Sequence, residues 1–168
     1  MWAIILSLIA CVPKNARVKS PELSVKTINM GEVNLADQKG KVVILDFWAT
    51  WCPPCRMEIP GFISIKKTYP DSLVEIIGIA MERNPMRVQD FMQKIGINYP
   101  IAMASRQIVS KFGSIQAIPT TFVIDPEGHI CQRYVGYTPK DKFINDIERL
   151  LKERKTQKNG KKKKDAKN

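Results

Sequence analysis

Residues 42–55 read Val42-Val43-Ile44-Leu45-Asp46-Phe47-Trp48-Ala49-Thr50-Trp51-Cys52-Pro53-Pro54-Cys55, and their reading decides the fold. Val42 to Trp48 is a nearly continuous apolar run, the pattern of a central strand covered on both faces. A helical stretch to about Tyr69 follows Cys55, so the two cysteines fall where a buried strand hands over to a helix. Unpaired N–H groups and the positive end of the helix dipole favour a thiolate at such a place, lowering a cysteine pKa from about 8.5 toward 7 or below. Cys52 is therefore the expected nucleophile. Cys55 lies about one turn further on, within disulfide reach, and is expected to resolve a mixed disulfide formed on Cys52. Two readings without redox chemistry stand beside this one, a zinc half-site and an inert buried pair. Zinc needs two more ligands, and Cys131, His129 and Cys11 are poorly spaced to supply them.

Asp46 is a carboxylate inside the apolar run, where a buried charge without a partner is expensive. Burial raises its pKa, and a carboxyl held near neutrality can take the proton from Cys55 and return it during exchange. An edge position facing solvent is the alternative.

Outward from this core, Leu23, Val25, Ile28, Val33 and Leu35 surround Asn29-Met30-Gly31 and predict a short hairpin. Pro60 falls inside the first helix, where it removes a hydrogen bond and predicts a kink. Leu73 to Ala80 reads as a second buried strand, Pro85 to Ile95 as an amphipathic helix opening on a proline, and Arg106 to Phe112 as a shorter helix. Thr120–Ile124 and Ile130–Val135 flank the turn at Pro126-Glu127-Gly128 and predict a hairpin. Phe143, Ile144, Ile147, Leu150 and Leu151 fall on one face of a last helix. The expected class is α/β, a central mixed sheet flanked by helices.

The chain has 168 residues, four cysteines and a formal charge of +11. One domain with a real core is expected at this length, and disorder of the whole chain is excluded by its 44% apolar content. The four cysteines are too few and too unevenly placed for a disulfide-stapled scaffold. Residues 155–168 hold seven Lys and one Asp, so more than half of the charge excess belongs to a tail with almost no apolar residue. That tail is expected to be disordered. It reads as a solubility segment or as a contact for an anionic membrane surface; nucleic acid is not expected, because no basic-aromatic interleaving is visible.

At the other end, residues 2–12 are apolar apart from Ser7 but too short to cross a 30 Å hydrocarbon core. The run fits the apolar region of a secretory signal, and Leu8-Ile9-Ala10-Cys11 resembles the bacterial lipobox, in which the cysteine is lipidated. No Lys or Arg precedes Lys14, a departure from such signals; uncleaved anchoring, ordinary signal cleavage and a buried N-terminal segment stay open beside lipidation at Cys11. Residues 14–21 read as a polar tether, giving an anchor and tether over 1–20, a folded domain over 21–154 and the tail over 155–168.

Asp46 to Cys55 resembles the active-site strand and helix start of the thioredoxin fold, and Ile118-Pro119-Thr120-Thr121 resembles its cis-proline loop. Lys39-Gly40-Lys41, Glu58-Ile59-Pro60, the extra strand and helix at about 73–95, and Asp125-Pro126-Glu127-Gly128 are similar to the TlpA/ResA-like branch over nearly all of residues 21–154. That resemblance implies an extracytoplasmic, membrane-tethered thiol-disulfide oxidoreductase without a bound cofactor or metal, acting as a monomer on protein thiols and disulfides. It implies electrons from an upstream membrane thiol donor, reduction as the net reaction, and apocytochrome c among the substrates. It makes Cys52 the attacking thiol, Cys55 the resolving thiol and Pro119 the cis-proline. Ile118 would pair with a substrate strand through its backbone, with Trp51 and Pro53 on the substrate-facing surface. Glu82 aligns with an acidic residue that tunes the cysteines in that branch, although a solvated loop glutamate is an equal reading. Cys131 reads as a small buried hydrophobe. Two rivals are a peroxiredoxin, which needs a lone peroxidatic cysteine with a Thr and an Arg, and a copper-delivery module using Cys52 and Cys55 as soft ligands.

Overall fold

The computed structural model describes residues 13–165, with side chains through Gln157. Val42–Trp48 forms a strand, β4, at every residue the apolar run marks out, and all seven of its residues are buried. It lies at the centre of a six-stranded mixed sheet ordered β1-β8-β7-β4-β5-β6. The other strands are β1 (Val18–Lys19), β5 (Val74–Ala80), β6 (Ile101–Met103), β7 (Thr120–Ile124) and β8 (His129–Val135). β5 runs parallel to β4 and β7 antiparallel to it. The edge position considered for Asp46 is excluded, since it pairs with Gly78 on one side and Thr121 on the other.

Alternation along β4 divides the core in two. Val42, Ile44 and Trp48 pack with Ile59 and Phe62 of helix α1 (Pro53–Thr68), Val88 and Met92 of α2 (Pro85–Ile95), and Phe143 and Ile147 of α4 (Lys140–Asp165). Val43, Leu45 and Phe47 pack on the other face with Phe112, Phe122 and the predicted N-terminal hairpin, β2 (Ser24–Lys26) and β3 (Glu32–Asn34). Ile108 and Val109 of α3 (Arg106–Lys111) join this second cluster. The mixed sheet with helices on it agrees with the expected α/β class. Pro60 sits inside α1, which continues as one helix through Thr68.

The N-terminal segment differs from the expected tether. Val18 and Lys19 pair with Ile130 and His129 of β8, and Arg17 is buried between Asp125 (3.1 Å) and Glu153 (3.0 Å). Its polar composition suggested a linker because these partners lie more than a hundred residues away. At the other end, α4 does not stop at Arg154 but runs through the lysine-rich segment to Asp165; lysine and glutamine are good helix formers, and the segment continues a helix already nucleated on the core. The apolar run 2–12, with Cys11, lies outside the described residues. Among the described residues, no helix is long and apolar enough to cross a membrane.

Candidate active site

β4 ends at Trp48 and α1 begins at Pro53, so the intervening turn delivers both cysteines to one end of the sheet. Cys52 is the N-cap of α1, and its sulfur accepts a hydrogen bond from the Cys55 amide at 3.3 Å. Pro53 and Pro54 occupy the first helical positions, where a missing N–H costs nothing because those donors have no intrahelical partner. Cys52 and Cys55 are joined in a disulfide with Cα atoms 5.3 Å apart. Both cysteines are buried, Cys52 at 3% exposure and Cys55 at 1%.

The Ile118–Pro119 peptide is cis, and β7 begins directly after it, opposite the end of β4, with Thr120 facing Phe47. This register sets the Ile118 carbonyl oxygen 3.7 Å from the Cys52 sulfur. Gly136 donates to the Pro119 carbonyl at 2.8 Å, which brings Val135 and Tyr137 to the same end of the molecule. Trp51, Met57, Val135 and Tyr137 are all about half-exposed or more. These exposed apolar side chains, all in segments at the cysteine end of the sheet, constitute an apolar rim. Pro53 is exposed beside Trp51, and Ile118 is half-buried.

Two buried carboxyls lie on the helix-covered face of the sheet, the face on which Cys52 and Cys55 also pack. Asp46 is 1% exposed and accepts a hydrogen bond from the Thr121 hydroxyl at 3.0 Å. Desolvation raises its pKa to about 7, against the lowering effect of Thr121. Glu58, on the buried face of α1, accepts from the Thr138 amide through Oε1. Burial first and the neighbouring Asp46 charge second raise it to about 8, with the Thr138 bond opposing. Among the described residues, its Oε2 has no hydrogen-bond partner, and neither does the fully buried Tyr99 hydroxyl. Burial, with the charges of Asp46 and Glu58, pushes the Tyr99 hydroxyl well above its ordinary pKa, so the three groups share one electrostatic environment. Two carboxyls that titrate near neutrality can accept and return a thiol proton.

Glu82 is elsewhere. Its Oε2 accepts from the Thr50 hydroxyl at 2.6 Å and the Thr50 amide at 3.2 Å, while Oε1 lies 3.7 Å from Arg87. It thus fastens the loop two residues before Cys52. Cys131 is fully buried, and its sulfur accepts from Arg149 at 3.2 Å. Among the described residues, no group of three or more His, Cys, Asp or Glu side chains is arranged to hold a metal ion.

Glu58 and Tyr99 were not singled out from sequence. A signal for Glu58 exists: Cys55, Glu58, Ile59 and Phe62 stand at the i, i+3, i+4, i+7 spacing of one helix face. That face is the buried one.

Residues 16–133 match the model of the AhpC/TSA family. The chain belongs to that family. Within it, the chain is 33% identical to the thiol-disulfide oxidoreductase ResA of Bacillus subtilis over 134 residues, covering 79% of this chain and 74% of ResA. It is 34% identical to the thioredoxin-like protein YneN of the same organism over 132 residues, 77% of each. Among solved structures, a thiol:disulfide interchange protein of the thioredoxin family from Chlorobium tepidum superposes with a TM-score of 0.75 at 35% identity, over 80% of this chain and 97% of that one. This AhpC/TSA member therefore has the thioredoxin fold in its ResA-like form, with a bonded cysteine pair at the start of α1.

Proposed function

We propose that this thiol-disulfide oxidoreductase reduces disulfides in extracytoplasmic proteins, apocytochrome c among them, from a position tethered to a bacterial membrane by its N-terminal segment. The observation that carries the reading is the Cys52–Cys55 pair at the N-terminus of α1, backed by two carboxyls that titrate at about 7 and about 8.

In the reduced protein, the Cys52 thiolate is stabilised by the Cys55 amide and the α1 dipole. It attacks one sulfur of a substrate disulfide, forming a mixed disulfide and releasing the other substrate sulfur as a thiolate. Cys55 then gives its proton to the Asp46/Glu58 pair, and its thiolate attacks the Cys52 sulfur. The second substrate thiol leaves, and the Cys52–Cys55 disulfide remains. Two electrons pass to the substrate, and an upstream membrane thiol donor restores the dithiol. The substrate segment lies along the Ile118 backbone beside cis-Pro119, between Trp51, Pro53 and the apolar rim. Glu82 acts as a positioning residue that holds Thr50. The lipobox-like run ending at Cys11 supports the tether.

The deciding measurement is the reduction potential of the pair. A value near about −270 mV is expected for a reductant, whereas one near about −120 mV overturns the direction of electron flow. Cys11-dependent incorporation of radioactive palmitate tests the anchor, and its absence removes the lipoprotein reading.

A further inference from the structure

The sheet has two poles. Trp48, Cys52 and Pro119 lie at one, since β4 ends there and β7 begins opposite Phe47. At the other, Val43 pairs with Ile124, Gly40 donates to Pro126, and Ser20 donates to Gly128. The chain enters the fold at this second pole, where β1 pairs with the start of β8.

α4 travels from the first pole to the second. Its first residue, Lys140, sits against Gly61 just after Thr138, which donates to Glu58. Its later residues reach the far pole, where Glu153 pairs with Arg17 and Arg154 lies near Gly40. From Lys155 to Gln157 the helix is exposed, and it continues to Asp165. The eleven residues from Lys155 to Asp165 make about 16 Å of helix. This extension contains Lys155, Lys158 and Lys161 to Lys164 against the single Asp165, and Lys19 and Lys39 are exposed at the same pole.

We propose that this basic extension of α4 docks on an anionic lipid surface, fixing the domain with its far pole toward the membrane and Cys52 directed away from it. Charge complementarity and placement argue for lipid. A lysine near a negatively charged leaflet gains enough attraction to change partitioning several-fold, and one lipid-type anchor alone binds only reversibly, so a polybasic second contact is what makes attachment stable. The apolar run 2–12 precedes the residues that enter the fold at this very pole, so both contacts address one surface. Only the pairing of the two contacts rests on the tethered reading; the lipid contact of α4 does not.

The test is flotation of the full chain with vesicles of phosphatidylcholine, and with vesicles in which one lipid in four is phosphatidylglycerol. The comparison variant replaces Lys161, Lys162, Lys163 and Lys164 together by Gln, which retains helix propensity. Binding to the anionic vesicles is expected to exceed binding to neutral ones by at least about tenfold, and this excess is expected to vanish in the variant and in 0.5 M salt. Bound protein is expected to reduce an added soluble disulfide peptide as fast as free protein does. Equal binding to both vesicles overturns the proposal, as does an unchanged excess in the variant. A variant that keeps the excess but loses affinity for duplex DNA reassigns the extension to nucleic acid. Slowed exchange on the vesicles overturns the orientation. Neutral vesicles report the N-terminal segment by themselves, so failure of the tether and failure of the α4 contact are read separately.

Discussion

Asp46 from the central strand and Glu58 from the first helix meet on the sheet face that also holds Cys52 and Cys55, and the charge of Asp46 raises the proton affinity of Glu58. Two carboxyls held this way titrate as a pair, in steps that belong to the pair. At neutral pH the arrangement retains at least part of a proton while keeping acceptor capacity for the Cys55 thiol.

Stability is expected to fall as pH rises. Both carboxyls have folded pKa values, about 7 and about 8, above their ordinary values of 3.8 and 4.5. Between about pH 4 and pH 8 the native state therefore binds more protons than the unfolded chain, which makes the slope of stability against pH negative. Asp46→Asn is expected to raise stability at pH 8 by about 1–3 kcal/mol and to flatten that slope. Urea denaturation at pH 6 and pH 8 measures it; a variant less stable than the parent at pH 8 contradicts the account.

Glu58→Gln is expected to slow the resolving step by about 10- to 100-fold at pH 7, within the span usual for general acid-base groups. The attack by Cys52 on a substrate disulfide changes less, because that sulfur is stabilised by the Cys55 amide. Stopped-flow measurement of both steps from pH 6 to 9 separates them. Equal slowing of both at every pH would show a merely structural loss.

Cys55→Ala is expected to accumulate a mixed disulfide on Cys52, visible on non-reducing gels and lost with thiol reductant. Cys52→Ala is expected to trap nothing from the same extract, since only the Cys52 sulfur holds the N-cap position and accepts a helix-start amide.

Gly78→Ala tests the packing that holds Asp46 in register. A Cβ at Gly78 would overlap Ile101 Cδ1 and stand 2.9 Å from Trp48 Nε1, against two fully buried residues. A loss of about 1–3 kcal/mol is expected from such overpacking, with a lowered thermal midpoint as the readout.

Arg17→Ala is expected to cost about 2–4 kcal/mol, because it strips a cation from the fully buried Asp125 carboxylate. Asp125 keeps its bonds from the Glu127 and His129 amides, which limits the loss. Chemical denaturation checks the value, and a neutral outcome would return residues 14–20 to a tether.

Local pattern made much of this readable in advance. Val42 to Trp48 announces a buried strand by composition alone, and the cysteine pair falls at a helix start that the following periodicity reveals. Asp46 stands out because a charge interrupts that strand. Glu58 escaped because charged residues are common on helices and only the phase relative to Cys55, Ile59 and Phe62 shows that it points inward. Tyr99 matters through neighbours about forty and fifty positions away in the chain. β6 is three residues long, too short for periodicity to register. Residues 14–20 read as a tether for a related reason, since Arg17 looks like linker polarity until Asp125 and Glu153 are brought to it by the fold.

That clasp has a mechanical meaning. Any pull arriving along the chain from residues before Pro13 meets the β1–β8 pairing and the ion pairs from Arg17 to β7's end and to α4. The load is spread over the sheet edge and the last helix at the far pole. The cysteine pole, at the opposite end of β4, is thereby left mechanically undisturbed.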